Sequence, residues 1–204
     1  MTQIIERIAN EIVNELKEKL FIPVEASGRH IHLSRADADS LFGEGYQFTK
    51  VKDLSQPGQY ACKERVTVTG PKGSIHNVIV LGPERKQSQM EVSLTDALAL
   101  GIKAPVRQSG DTKGSPGITV TNGSRSVTLA EGIIVAKRHI HMTPEDAQKF
   151  NGEIVKVKVS GSRPVIFEDT VVRVSKDFRT YMHIDYDEAN ACGYNKDSWG
   201  IIVK

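Results

Sequence analysis

Residues 29–38 read RHIHLSRADA, and residues 138–147 read RHIHMTPEDA. The Arg-His-Ile-His core is identical in the two copies, which lie 109 residues apart. Further downstream, QMEVSLTDALALG at 89–101 aligns with YMHIDYDEANACG at 181–193. Met90 then matches Met182, Val92 matches Ile184, Ala97 matches Ala189 and Gly101 matches Gly193, while Glu91 falls opposite His183. Between these pairs, VTVTG at 66–70 corresponds to VKVSG at 157–161. Matches that recur in the same order indicate a tandem duplication, and a duplicated chain folds into two similar halves about a pseudo-twofold axis.

Strand signals dominate both halves. Val66–Thr69 and Val155–Val159 alternate apolar and polar residues and stop at glycine, and Val78–Leu81 and Val171–Val174 read as more buried strands. Ser34–Leu41 and Thr143–Phe150 carry helix starts, with Ser34 and Thr143 as N-caps and Pro144 at the first helical position. The expected fold is mainly β with short helices, in two small β-barrel domains. Between the halves, Ala104–Gly132 contains SGDTKGSPG and reads as a long loop, either a linker or a lid over a ligand. Near the N-terminus, Ile4, Ile8, Ile12, Leu16 and Leu20 recur every four residues, which predicts an amphipathic helix over 1–20. Such a helix packs on its own protein or a dimer mate, or docks on another assembly.

Composition narrows the function classes. The 204 residues are 39% hydrophobic, enough for one large domain or two small ones. There are 27 basic and 25 acidic residues without a Lys/Arg run, which argues against a dedicated nucleic-acid or membrane-surface binder. No apolar stretch reaches a membrane span and no secretion signal is visible. Cys62 and Cys192 form no metal or disulfide pattern. The expectation is a soluble, cytoplasmic protein.

The histidines carry the chemistry. Residues i and i+2 of a strand share a face, so His30/His32 and His139/His141 can each present two imidazoles to one ion. The duplication nominates a third ligand per half: His183 beside His139 and His141, and Glu91 beside His30 and His32. Both triads leave a fourth position open, as catalytic zinc sites do. Few thiols and many imidazoles favour Zn, with Co, Ni and Fe(II) left open. His76 has no repeat partner and reads as a surface or structural residue. Arg85, six residues before Glu91, is either an anion-holding guanidinium or a solvated turn residue. Arg29 and Arg138 precede each histidine pair and read equally as structural braces. Ser109, Lys113 and Gly114 offer a weak anion-binding pattern, and neither GPKGS nor GSPG is a Walker loop. Cys62 reads as an inert buried thiol rather than a nucleophile.

VEASGRHIHLS, QPGQYA, VTGPKG, LGPERKQSQMEVS, SGDTKGSPG, VAKRHIHMT and MHIDYDEANA together resemble the PduL-type phosphotransacylases (phosphate propanoyltransferases) from about Pro23 onward. The resemblance implies a zinc enzyme that interconverts propanoyl-CoA or acetyl-CoA plus phosphate with acyl phosphate plus CoA. It implies two barrels with the active site between them, the first over 29–136 and the second combining 18–28 with 137–204. The family's ligands fall on His30, His32 and Glu91 and on His139, His141 and His183, giving two Zn per chain. Its phosphate-binding arginine falls on Arg85, a further active-site position on Ser109, and CoA-pocket positions on Ser27, Lys52, Leu81 and Asn190. The family often has Glu soon after QYA; here Cys62-Lys63-Glu64 follows, which leaves the role of Glu64 open.

The same resemblance implies a homodimer and a place in propanediol degradation. Members inside bacterial microcompartments carry a short amphipathic N-terminal helix that meets shell proteins, and residues 2–20 look like one. The chemistry implied is zinc-assisted direct attack of phosphate on the thioester. Two rivals stand beside it: a dinuclear hydrolase such as a thioesterase, and zinc serving only to hold two barrels together.

Overall fold

A computed structural model describes residues 4–8, 21–150 and 152–203. Residues 4–8 are helical with Ile4, Ile5 and Ile8 exposed; the rest of the expected N-terminal helix lies outside the described residues. No described helix is long and apolar enough to cross a membrane.

The chain is mainly β. Its first half forms β2 (His30–His32), β3 (Lys50–Asp53), β4 (Tyr60–Thr69), β5 (Ser74–Gly82), β6 (Gln89–Glu91), β7 (Val106–Arg107), β8 (Ile118–Asn122), β9 (Arg125–Leu129) and β10 (Ile133–Ala136). These make one nine-stranded half-barrel sheet in the order β7-β10-β6-β2-β5-β4-β8-β9, with β3 on β4. The other strands are β1 (Ile22–Ser27), β11 (His139–Met142), β12 (Ile154–Val159), β13 (Val165–Val174), β14 (Tyr181–Asp185) and β15 (Trp199–Val203). They close into a barrel in the order β1-β14-β11-β13-β12-β15.

The alternation in the sequence sets which face turns inward. In β12, Val155, Val157 and Val159 are buried while Ile154, Lys156 and Lys158 are exposed. Each sheet wraps its own core. One is built on residues such as Ile31, Leu33, Val68, Val80, Met90 and Leu100, the other on Ile22, Ile140, Met142, Val157, Met182 and Ile184.

The two halves exchange a strand. β1 leads into β2 of the half-barrel yet lies parallel to β14 of the closed barrel. Its repeat equivalent, β10, leads into β11 of the closed barrel yet lies parallel to β6 of the half-barrel. The histidine pairs therefore begin where the chain crosses between sheets.

Two expectations need correction. The Ala104–Gly132 stretch is not one long loop, because β8 and β9 pair in register from Ile118–Leu129 to Asn122–Arg125. The alternation in ITVTN and RSVTL around Asn122-Gly123, a hairpin signal, outweighs the glycine and proline content before it. Helices also form at Leu94–Leu100 and Tyr186–Cys192, in segments read only as polar-apolar runs ending in glycine. Ser93 with Asp96, and Asp185 with Glu188, make reciprocal capping boxes, and Gly101 and Gly193 end the helices in left-handed conformation. The expected helices do form, at Arg35–Phe42 and, as a single turn, at Pro144–Ala147.

The glycine shared by VTVTG and VKVSG has a packing cause. A Cβ on Gly70 would press on the carbonyl oxygen of Leu100, and one on Gly161 on that of Cys192. Each glycine lets a strand end abut the C-terminus of its helix. Gly70→Ala and Gly161→Ala are expected to destabilise the chain by about 1–3 kcal/mol each, since backbone cannot give way as a side chain can. Urea unfolding reads this as a lowered midpoint at unchanged slope.

Candidate active site

The two triads are built by equivalent registers. In the antiparallel pair β2·β6, His30 stands directly opposite Glu91; in β11·β14, His139 stands directly opposite His183. His32 and His141 follow two residues on, on the same strand face. One ligand atom from each of His30, His32 and Glu91 lies within 4.8 Å of the others, and the same holds for His139, His141 and His183.

The local backbone sets the tautomers. His30 Nδ1 donates to the Gly28 carbonyl and His139 Nδ1 to the Lys137 carbonyl, both at 2.9 Å. A carbonyl only accepts, so the proton sits on Nδ1 and each Nε2 keeps its lone pair. His30 Nε2 is 3.5 Å from Glu91 Oε2. His183 stacks on His139 with ring centroids 5.1 Å apart, and His141 meets it edge-on. His32 Nδ1, His141 Nδ1 and His183 Nε2 are buried without a hydrogen-bond partner. One orphaned imidazole nitrogen in the first triad and two in the second fit a metal ion at each, and N₃ and N₂O donor sets suit Zn.

Burial keeps the His32, His139, His141 and His183 rings neutral. It lowers His32 to about 2, with His30 and Arg85 adding to the effect. It lowers His141 to about 3, with His139 and Arg173 adding, and holds His139 and His183 below the usual range. Burial pushes the Glu91 carboxyl up, but His30, the Ser109 hydroxyl and Arg85 outweigh it and hold it below its ordinary value. A stability dependence follows for metal-free protein. Unfolded histidines take up protons below about pH 6.5, whereas the folded ones resist, so the unfolded state binds more protons. Stability of chelator-treated chain is expected to fall as pH drops from 7 to 5, measured as a falling urea midpoint.

Arg85 enters the same cleft. Its backbone is fixed by a hydrogen bond from Arg85 N to Leu33 O at 2.9 Å. Its guanidinium donates to His32 Nε2 at 2.8 Å and to Ser109 Oγ at 3.2 Å. Ser109 in turn donates to Glu91 Oε1 at 2.9 Å and accepts from Gln89 Nε2 at 2.8 Å. Burial lowers Arg85, Glu91 raises it and Arg173 lowers it again, leaving it below its ordinary value.

The cleft encloses about 640 Å³ between the sheets. Both triads, Arg85, Ser109, Ser27, Lys52 and Leu81 line it. A second, smaller cavity is lined by His30, Glu91, His139 and His183, so the triads face one another. Asn190 is exposed on the Tyr186–Cys192 helix and does not line the cleft. His76 is exposed and bonds Thr67. Lys113 and Gly114 are also elsewhere: the Gly114 N–H is used by Glu131 at 2.7 Å and the Lys113 carbonyl by Arg107 at 2.6 Å. Glu64 accepts from the Tyr46 hydroxyl and the Thr49 N–H, outside the cleft. Arg29 and Arg138 are braces, reaching Asp96 at 2.7 Å and Glu188 at 2.6 Å, the third residue of each capped helix. Cys62 is fully buried and burial pushes its thiol up to about 12, so it is no thiolate at neutral pH.

Several lining residues were not singled out in the sequence. Arg173 pairs in register with His141 across β11·β13, and its guanidinium lies 5.9 Å over the Phe178 ring. Gln56 clasps the backbone of Arg179, Nε2 to O at 3.0 Å and Oε1 from N at 3.3 Å. No motif marks either residue, because strand pairing and a contact between sheets bring them in.

Comparison with known proteins gives one consistent result. A family model described as phosphate propanoyltransferase matches residues 23–195. A phosphate propanoyltransferase of Clostridioides difficile is 60% identical over 100% of this chain and 99% of its own length. That of Enterococcus faecalis is 62% identical over 100% of this chain and 97% of its own. That of Thermotoga maritima is 50% identical over 95% and 94%.

Proposed function

The chain belongs to the phosphate propanoyltransferase family, which makes it a phosphate acyltransferase, and from that premise we propose how its cleft performs the transfer. The observation that carries the reading is the pair of triads facing one cleft that Arg85 also enters. His30, His32 and Glu91, and His139, His141 and His183, would each hold a Zn ion, which would supply Lewis-acid stabilisation for the oxygen and sulfur charges that develop. The reaction is direct: a phosphate oxygen bonds to the thioester carbon, the C–S bond breaks, and CoA leaves as thiolate.

His32 and Arg85 work as a coupled pair. Once His32 serves as a ligand, its Nε2 no longer accepts from Arg85, because the nitrogen has either given up its lone pair or taken the proton. The guanidinium is then free to hold phosphate through two hydrogen bonds. Ser109 steadies both Arg85 and Glu91. Arg173, from the other sheet, adds positive potential to the same cleft. Ser27, Lys52 and Leu81, which line the cleft, and Asn190, on the exposed face of its helix, are assigned to CoA. Among the described residues no lining residue is a cysteine and no lining serine bonds a histidine that could act as its base, which supports direct transfer over an acyl-enzyme.

The two functional halves are assigned to 29–136 and to 18–28 with 137–204, and the working unit to a homodimer. The acyl group is propanoyl or acetyl; one methylene shifts binding by only about 1–3 kcal/mol. Residues 1–20 are assigned to docking on microcompartment shell proteins, in keeping with a role in propanediol degradation. Deleting them is expected to abolish co-purification with shells while leaving turnover unchanged; loss of turnover would instead make the segment part of the fold.

The deciding experiment is an acyl-CoA assay on protein of measured metal content. Two Zn per chain with CoA release that requires phosphate supports the reading. CoA release without phosphate would make the protein a hydrolase, and ping-pong kinetics would overturn direct transfer.

A further inference from the structure

We propose that Glu25 is the positioning residue that aims His183 into the second triad. This rests on the reading of that triad as a metal site.

Glu25 and His183 are directly opposite in the parallel pair β1·β14, on the strand face turned toward the cleft. Glu25 Oε2 lies 3.5 Å from His183 Nδ1, and His183 Nε2 is buried with no partner. An acceptor beside Nδ1 puts the proton there and leaves the Nε2 lone pair for a ligand. His30 and His139 obtain the same result from backbone carbonyls two residues earlier. His183 has no such carbonyl on Nδ1, and Glu25 takes its place.

The exchanged strands supply an internal control. Ile134 of β10 is the repeat equivalent of Glu25, five residues before its histidine pair, and it stands opposite Glu91. An imidazole ligand has a second nitrogen that needs an acceptor; a carboxylate ligand has none. The chain places an acid across from the imidazole and a fully buried isoleucine across from the acid. Glu91 is steadied instead by Ser109 and by Gln89 Nε2 at 2.6 Å.

Glu25 is itself held from the other sheet. The Ser55 hydroxyl, in the β3–β4 connection, donates to the same Oε2. Its neighbour Gln56 fastens that connection to Arg179. The first half thus fixes the carboxylate that orients a ligand of the second.

The test uses the full chain reconstituted with Zn²⁺ and titrated with a chromogenic chelator. Glu25→Ala is expected to weaken one of two zinc ions by about 10–100-fold and leave the other unchanged. Glu25→Gln, whose amide oxygen still accepts from Nδ1–H, is expected to retain most of the affinity. Long-range ¹H–¹⁵N spectra are expected to show His183 protonated on Nδ1 in the wild type and in Glu25→Gln, and a tautomer mixture in Glu25→Ala. Two ions of unchanged affinity in Glu25→Ala, equal weakening of both, or a wild-type His183 protonated on Nε2 would each overturn the positioning role alone. A wild-type chain that holds no zinc would overturn the site reading and this role with it.

Discussion

Arg85→Lys is expected to lower kcat/KM for phosphate by about 10²-fold, and Arg85→Ala by about 10²–10³-fold, with the KM for acyl-CoA changed far less. The half-buried guanidinium lines the cleft, is held through its backbone, and presents two nitrogens that now reach His32 and Ser109. Lysine keeps the charge but loses the planar fork that matches two phosphate oxygens. The loss therefore appears with phosphate as the varied substrate. If Arg85→Lys slowed both substrates equally, the residue would be acting on the fold of the cleft, and assignment of phosphate to Arg85 would fail.

His141→Ala and Glu91→Ala are each expected to remove one of two zinc ions and reduce kcat by about 10³-fold or more, the rate equivalent of the several kcal/mol a Lewis acid contributes. The two losses differ in kind. His141 leaves a neutral pair of imidazoles, whereas Glu91 takes away the one formal negative charge in either triad. Glu91→Gln is expected to retain shape and hydrogen bonds to Ser109 but bind zinc more weakly than wild type. Metal content per chain, measured beside kcat, checks all three. A Glu91→Ala chain with two tightly held ions and wild-type turnover would dissolve the proposed first site.

Much of the site was legible in the sequence, for a geometrical reason. Two residues apart on a strand is a short-range relation, so H-x-H fixes that two imidazoles share a face whatever the rest does. The third member of each triad was legible because duplication converts a long-range contact into an alignment: Glu91 opposite His183 in the repeat becomes Glu91 opposite His30 and His183 opposite His139 in the sheets. Arg173 had no such aid. It reaches the cleft through parallel pairing of β13 with β11, and it has no motif around it. The Ile118–Leu129 hairpin was obscured because the glycine-rich segment before it resembles a loop, and only its pairing makes the alternation count.

Asn190 and Glu64 show what only the tertiary structure decides about a position named from sequence. Asn190 lies on an exposed helix face, and Glu64 is occupied with Tyr46 and Thr49. A matching letter places a residue in the chain but not its side chain in a cavity.

The sequence alone determined the β-rich halves, the two H-x-H faces and the kinship of Glu91 with His183. The exchange of β1 and β10 between sheets was decided only in three dimensions, since strand partners are chosen by which edges and apolar faces, far apart in the chain, can be buried together. That exchange sets Glu25 beside His183 and Ile134 beside Glu91, and nothing local to either strand specifies it.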